Sequence, residues 1–333
     1  MKTYIVYHSA DYDGLMSGAI CKWFLKDKDP VMVGWDYGTP APDIPDDCDL
    51  YMVDICVDEL INHPNLIWID HHKSRIDHWD KQGFKIKGYR IDGVAACRLC
   101  WQWFSSDPLP VFKEYKDRLV KEPHMVRMLG EYDIWDHRDP SVITLQHGLR
   151  ASYWGDSVDS MYEYLEQYQS GTDDLPGIIS KGNIIEKYSE RENKSIINER
   201  GYEIYFEGLR FVVLNNRCNS LAFKDYKNIS AMDAVMAYHF DGEMVRVSMY
   251  GLPDKDIDLS KIAVKYGGGG HKNACGFELP LNKIGIVSKG GDFSVPMIRY
   301  GNSNDNNSDT VIDPGDFLKT PLVIWGEVFK EEK

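Results

Sequence analysis

The chain has 333 residues, more than a single hydrophobic core ordinarily holds, so two domains are expected. Its formal net charge is −14 with no strong basic run, which argues against a binder of long nucleic acids and for a small anionic substrate held through metal ions. Seven scattered cysteines make no disulfide framework, and no run approaches the length of a membrane-spanning helix.

The opening residues, Met1-Lys2-Thr3-Tyr4-Ile5-Val6-Tyr7-His8, lack the apolar core and small-residue cleavage site of a signal peptide, so a cytoplasmic protein is expected. Residues 4–7 read as a strand. Residues 14–25 carry Leu15, Ala19, Ile20, Trp23 and Phe24 at helical spacing. Residues 50–53 and 66–69 are two further strands, and 94–104 an apolar helix. Its Cys97 and Cys100 have no second pair for a zinc site and read as small core residues. Strands alternating with helices predict a parallel sheet covered on both faces.

Residues 108–110 read as a turn, and 112–129 as mostly helical with a break at Pro123. A helix is expected over 162–168, a turn-rich break over 170–177, and a long polar helix over 178–199 that bridges two domains. Strands follow at 202–206, 211–214, 234–238 and 244–249, with Asp241-Gly242 as a hairpin turn. After the glycine run at 267–270 come a low-complexity stretch at 301–309 and a last strand at 322–325.

Acidic residues and histidines collect where the strands end. The first strand runs into His8, Asp11 and Asp13, the second into Asp54, and the third into Asp70, His71 and His72. In a parallel α/β sheet the carboxyl ends share one edge, where ligands bind. Unpaired carboxylates in one crevice repel, and two divalent cations remove that penalty. Mixed carboxylate and imidazole ligands without thiolate suit Mn²⁺ first, with Mg²⁺ or Co²⁺ as alternatives. Two such ions about 3.5–4 Å apart can drive an in-line phosphoryl displacement. Taken singly, Asp-x-Asp-Gly is an ordinary N-cap turn and Asp54 a helix cap. Three such ends in this order are hard to explain as caps.

These motifs resemble those of the DHH phosphoesterases. Asp70-His71-His72 after an apolar strand resembles the family signature. His8-Ser9-Ala10-Asp11-Tyr12-Asp13-Gly14 resembles its first motif, Val53-Asp54 its second, and Gly130-Glu131-Tyr132-Asp133-Ile134-Trp135 its fourth. Residues 267–277 resemble the glycine-rich motif of the associated C-terminal domain of DHHA1 type. The likeness spans roughly residues 3–279.

The resemblance implies a site. His8 and Asp11 would hold one metal, Asp13, His71 and Asp133 the other, and Asp54 would bridge them. His72 would face the substrate phosphate, and Asp70 would orient a histidine from behind. A water activated between the ions, not a side chain, would be the nucleophile. Gly268, Gly269 and Gly270 would let backbone N–H groups approach phosphate oxygens, with His271 donating to a phosphate or leaving group. Asp136 and Asp139 are rivals for the fourth-motif ligand, but Asp133 has the Tyr-Asp-x-Trp context.

Two departures from the family pattern stand out. Many members space the first motif H-x-x-x-D-x-D, whereas here it is H-x-x-D-x-D, so the loop must curve differently. A Ser-Leu-Arg-Ser stretch common in the family's C-terminal domain is replaced by Ser248-Met249-Tyr250-Gly251. Arg246 or Arg217 could supply the missing cation, or Tyr250 could stack on a base.

The expected architecture is α/β: an N-terminal parallel-sheet DHH domain at 1–177, a helical linker at 178–200, and a smaller C-terminal α+β DHHA1-like domain at 201–333, with the active site in the cleft. Residues after 282 have no placed counterpart. The expected activity is a Mn²⁺-dependent two-metal phosphodiesterase that cleaves short oligonucleotides or linear dinucleotides to mononucleotides. It would bind no long duplex and no membrane, and a homodimer is a candidate assembly. Alternatives are a cyclic dinucleotide phosphodiesterase, a 3′-phosphoadenosine phosphatase, a RecJ-like 5′-to-3′ single-strand exonuclease and a pyrophosphatase or polyphosphatase. The last would need a cation cluster, for which only Lys73, Arg75, Lys265 and Lys272 are scattered candidates. A non-catalytic nucleotide-binding module is the contrasting class, disfavoured by the complete ligand set.

Overall fold

Short apolar runs build the first sheet: β1 (Thr3–His8), β2 (Val31–Trp35), β3 (Asp49–Val53) and β4 (Leu66–Ile69). All neighbours pair in parallel, in the order β2-β1-β3-β4. The computed structural model describes residues 1–105, 121–152 and 157–280. The chain divides into two units, Met1–Tyr188 and Ser189–Lys333.

Alternation along the strands sorts the first unit into two cores. Ile5, Tyr51, Val53 and Ile69 face a helical layer made by α1 (Tyr12–Phe24), α3 (Ala96–Ser105), α4 (His124–Asp133), α5 (Ser141–Arg150) and α6 (Val158–Ser170). Val6, Leu50, Met52 and Trp68 face the opposite core. That side is closed by irregular chain carrying Ile44, Ile55 and Val57, by Leu60 of a 3-10 turn at Asp58–Leu60, and by Trp79 of the short helix α2 (Lys73–Lys81). Both faces are thus covered, one by helices and the other mostly by loops.

The order of the strands places the crevice. From β1 the chain passes through α1 to β2 on one side, then returns to lay β3 on the other side of β1. The reversal falls between β1 and β3, and ligands of open α/β sheets bind at such a switch point, beyond the carboxyl ends of the strands. Here those ends are His8 and Val53-Asp54.

The long helix α7 (Leu175–Arg200) contains the boundary between the units. In the second unit a mixed sheet runs β5-β6-β7-β8-β10-β9, from β5 (Tyr202–Phe206), β6 (Leu209–Asn215), β7 (Ala234–Phe240), β8 (Met244–Gly251), β9 (Gly269–His271) and β10 (Ala274–Pro280). Only β6 and β7 pair in parallel among its described strands. Glu207 and Gly208, both with positive φ, turn the β5–β6 hairpin. Asp241 turns the β7–β8 hairpin by accepting the N–H groups of Glu243 and Met244.

Some elements escape the pattern reading. β2 is a half-buried edge strand interrupted by Gly34, so it lacks the apolar run of its neighbours. α8 (Ser260–Lys265) has six residues, and β9 is drawn from the glycine run. The expected turn at 108–110, the helical start at 112–120 and everything expected after 280 lie outside the described residues. The described part of the fourth-motif helix begins immediately after Pro123, where the break was expected. Among the described residues no helix is long and apolar enough to cross a membrane.

Candidate metal centre

The first motif is shaped by the passage from β1 into α1. Asp11 is the N-cap of α1, its Oδ1 accepting the Gly14 N–H at 2.9 Å. A side chain at position 14 would put Cβ 2.1 Å from the His8 carbonyl oxygen, so only glycine lets the helix start this close to the strand end. Asp13 is buried in the first turn, and its two oxygens accept the N–H groups of Ala96 and Cys97, each at 2.8 Å. Its carboxylate therefore also serves the start of α3.

The remaining groups converge on this turn. His8 Nδ1 lies 3.0 Å from Asp11 Oδ2 and 3.5 Å from Asp54 Oδ2. His71 Nε2 lies 3.4 Å from Asp54 Oδ1, 3.6 Å from Asp13 Oδ2 and 3.1 Å from Asp133 Oδ2. Among the described residues, three groups have ligand atoms close enough to hold a metal ion: His8, Asp11 and Asp54; Asp13, His71 and Asp133; Asp54, His71 and His72. Asp54 belongs to two of these and His71 to two.

Asp54 is 1% exposed, yet neither carboxylate oxygen receives a hydrogen bond of normal geometry. A buried carboxylate left in that state is costly, and a cation is the partner its surroundings fit. Its backbone is also in the left-handed region, at φ 59°. The Asp54 N–H bonds the Ile69 carbonyl at 2.9 Å, tying this turn to the end of β4.

Asp70 stands behind the site. Its Oδ1 accepts the backbone N–H of His71 and His72 and pairs with His72 Nδ1 at 2.7 Å, while Oδ2 accepts the Trp68 indole N–H at 3.1 Å. Being fully buried and so engaged, it fixes the His72 ring through Nδ1 and both backbone N–H groups.

Charge crowding leaves its mark on the titrations. Burial and the charge of Asp54 raise the Asp13 carboxyl to about 7, against the pull of His71. Partial burial raises Asp133 to about 7, with His71 opposing and Asp13 and Asp11 adding to the rise. Burial would lower His8, but the hydrogen bonds and charges of Asp11 and Asp54 overcome it and raise the imidazole to about 11. His72 rises to about 9, burial being outweighed by Asp70. Protons and imidazolium charge thus offset carboxylate repulsion, a demand that divalent cations would also meet.

No protein-family model matches the chain, and no curated protein matches it. Solved structures are similar to it at low identity. A pGpG-specific phosphodiesterase, PggH from Vibrio cholerae, is 14% identical over 85% of this chain and 95% of its own, with a TM-score of 0.46. An exopolyphosphatase-related protein from Bacteroides fragilis is 16% identical over 84% and 87%, with a TM-score of 0.42. The exonuclease RecJ bound to manganese is 13% identical over 84% and 86%, with a TM-score of 0.42. At such distances activity is argued from the residues alone.

The rival carboxylates are engaged elsewhere: Asp136 pairs with Arg138 and Asp139 with Arg127. Cys97 and Cys100 are buried and free in α3. Arg246, a candidate for the missing cation, is held by Asp241 and Glu278, and the Tyr250 hydroxyl donates to the Cys218 carbonyl at 3.3 Å.

In the second unit the glycine run ends α8 and enters β9. Gly268 packs so tightly that a Cβ would fall 2.0 Å from the Gly276 carbonyl oxygen, and at Gly270 it would fall 2.7 Å from that of Ala274. Gly269 has open space around it. His271 is exposed at the end of β9, opposite Ala274. Two of the four glycines are thus needed for packing, and a third, Gly267, for a left-handed turn at φ 81°.

Two residues at the site escape the sequence reading. Asp36, just after β2, lies 3.3 Å from His8 Nε2. Tyr37 follows it, its ring edge-on to His8 at 6.1 Å and under the Arg75 guanidinium at 5.5 Å. Recognising β2 as a strand would have exposed the signal: a carboxylate at yet another strand end.

Proposed function

We propose that the chain is a two-metal phosphodiesterase acting on short oligonucleotides or linear dinucleotides. The observation that carries this reading is Asp54, a buried carboxylate that no hydrogen bond of normal geometry reaches, shared between two groups of metal-competent side chains. His8 and Asp11 would hold one ion, Asp13, His71 and Asp133 a second, with Asp54 common to both. Mn²⁺ is the ion best suited to this oxygen and nitrogen donor set. Bound there, divalent cations supply Lewis acidity toward phosphate oxygens and lower the pKa of water.

The chain's own groups do the rest. His72 keeps its charge through Asp70 and is proposed to donate from Nε2 to a phosphate oxygen of the substrate. His271 and the Gly269 backbone are proposed to bind a substrate phosphate. A substrate with bases is favoured by two exposed aromatics beside the ligands. Trp135 lies two residues from Asp133, is 45% exposed and holds a left-handed φ of 60°, which is strained for a bulky residue. Tyr37 meets His8 edge-on and is also exposed. Such rings suit base stacking. The basic residues following the motifs are already neutralised, Arg75 by Asp58 and Arg138 by Asp136, which disfavours a polyphosphate substrate.

The test is release of mononucleotides from a 5′-phosphorylated RNA dinucleotide, with Mn²⁺ or with chelator, by the wild type and Asp54→Asn. Mn²⁺-dependent release that the variant lacks is the expected result. Absence of release by the wild type under every condition would refute the linear-dinucleotide reading, and cyclic dinucleotides and 3′-phosphoadenosine phosphates are then the substrates to assay.

A further inference from the structure

His8 has carboxylates on both sides of its ring. Nδ1 faces Asp11 and Asp54, and Nε2 faces Asp36 Oδ1 at 3.3 Å. Asp36 reaches this place because β2 pairs in parallel with β1 and puts Trp35 opposite His8, so the next residue emerges beside the imidazole. The carboxylate is itself held. Its Oδ1 accepts the Tyr37 N–H at 2.7 Å, and its carbonyl accepts the Thr39 hydroxyl at 2.7 Å.

We infer that Asp36 is a positioning residue, which accepts the Nε2 hydrogen of His8 and so commits Nδ1 to the metal. A histidine ligand is typically fixed in tautomer and orientation by the acceptor on its other nitrogen. The inference rests on the metal-centre reading. Nδ1 is the ring nitrogen nearer the His8 backbone, and it is the one that Asp11 Oδ2 approaches at 3.0 Å. A local side-chain-to-backbone bond explains the Tyr37 contact but not why the same oxygen faces an imidazole 28 positions away.

Calorimetric titration of the full chain with Mn²⁺ tests this on the wild type, Asp36→Ala, Asp36→Asn and Thr39→Ala, with melting curves in chelator confirming that each is folded. The wild type is expected to bind in two steps. Asp36→Ala should weaken one step by about 10- to 100-fold and leave the other within about twofold. Asp36→Asn keeps an acceptor oxygen and should lose less. Thr39→Ala loosens the turn without removing the carboxylate and should bind as the wild type does. Wild-type affinities in Asp36→Ala, or an equal fall of both steps in Asp36→Ala and Thr39→Ala, would overturn the inference while leaving the metal centre intact. A wild type that takes up no Mn²⁺ would overturn the metal centre and this inference with it.

Discussion

His71 Nε2 stands 3.4 Å from Asp54 Oδ1, joining the end of β4 to the end of β3 inside the site. His8 Nδ1 lies 3.5 Å from Asp54 Oδ2, but no hydrogen bond of normal geometry reaches the buried oxygens. Asp54→Asn should therefore act in opposite directions on stability and activity. Without metal the variant should be more stable by about 1 kcal/mol, because a buried charge is replaced by an amide that also tolerates a left-handed φ. The proposed phosphodiesterase activity should fall by more than about 100-fold, beyond the usual effect of an outer-shell group. Melting in chelator and in Mn²⁺ checks both: the ion should raise the wild-type Tm and leave the variant's unchanged.

Asp13 and Asp133 should separate structure from ligation. Asp13 caps the start of α3 through Ala96 and Cys97, whereas Asp133 lies at the end of α4 with its side chain partly exposed. Asp13→Ala should cost about 1–2 kcal/mol of metal-free stability, and Asp133→Ala within about 0.5 kcal/mol. Both should weaken Mn²⁺ binding. Chemical denaturation in chelator, followed by metal titration, measures the two effects apart.

The glycine run offers a steric contrast. Gly268→Ala should destabilise by about 2 kcal/mol or more, since its Cβ would overlap the Gly276 carbonyl. Gly269→Ala has room and should melt as the wild type does, but raise KM if that backbone meets a phosphate. His271→Ala should likewise raise KM while leaving Mn²⁺ binding unchanged, and equal loss of metal in His271→Ala and Asp54→Asn would contradict the division of roles.

Trp135→Ala should raise KM for a dinucleotide by about 10-fold or more, from loss of one stacked base. Hydrolysis of bis(p-nitrophenyl) phosphate should change far less. Equal effects on the two substrates, in steady-state assays, would remove the ring from base recognition.

One pH effect lies outside the metal site. The Arg127 hydrogen bond holds the Asp139 carboxyl below its ordinary value. A depressed carboxylate pKa stabilises the fold above the unfolded value of about 3.9 and loses that contribution as pH falls through the folded value. With both side chains about a third exposed, the contribution is on the order of 0.5 kcal/mol. The stability gap between wild type and Asp139→Asn should thus be present at pH 7 and close below about pH 3.

The sequence by itself determined the strands that end in His8, Asp54 and Asp70, because buried central strands are short apolar runs whose ends show as an abrupt change to polar residues. It also determined the long helix α7 and the hairpin at Asp241, both local in origin. Only the tertiary structure put Asp133 Oδ2 3.1 Å from His71 Nε2 and paired Asp136 and Asp139 with Arg138 and Arg127. It alone decided which glycines of the run serve packing, and that Nδ1 of His8 faces Asp11 and Asp54 while Asp36 faces the other nitrogen. The physical reason is common to all three. Local pattern carries burial and chain direction, whereas the partner of a charge and the orientation of a ring depend on what pairing and packing bring from elsewhere in the chain.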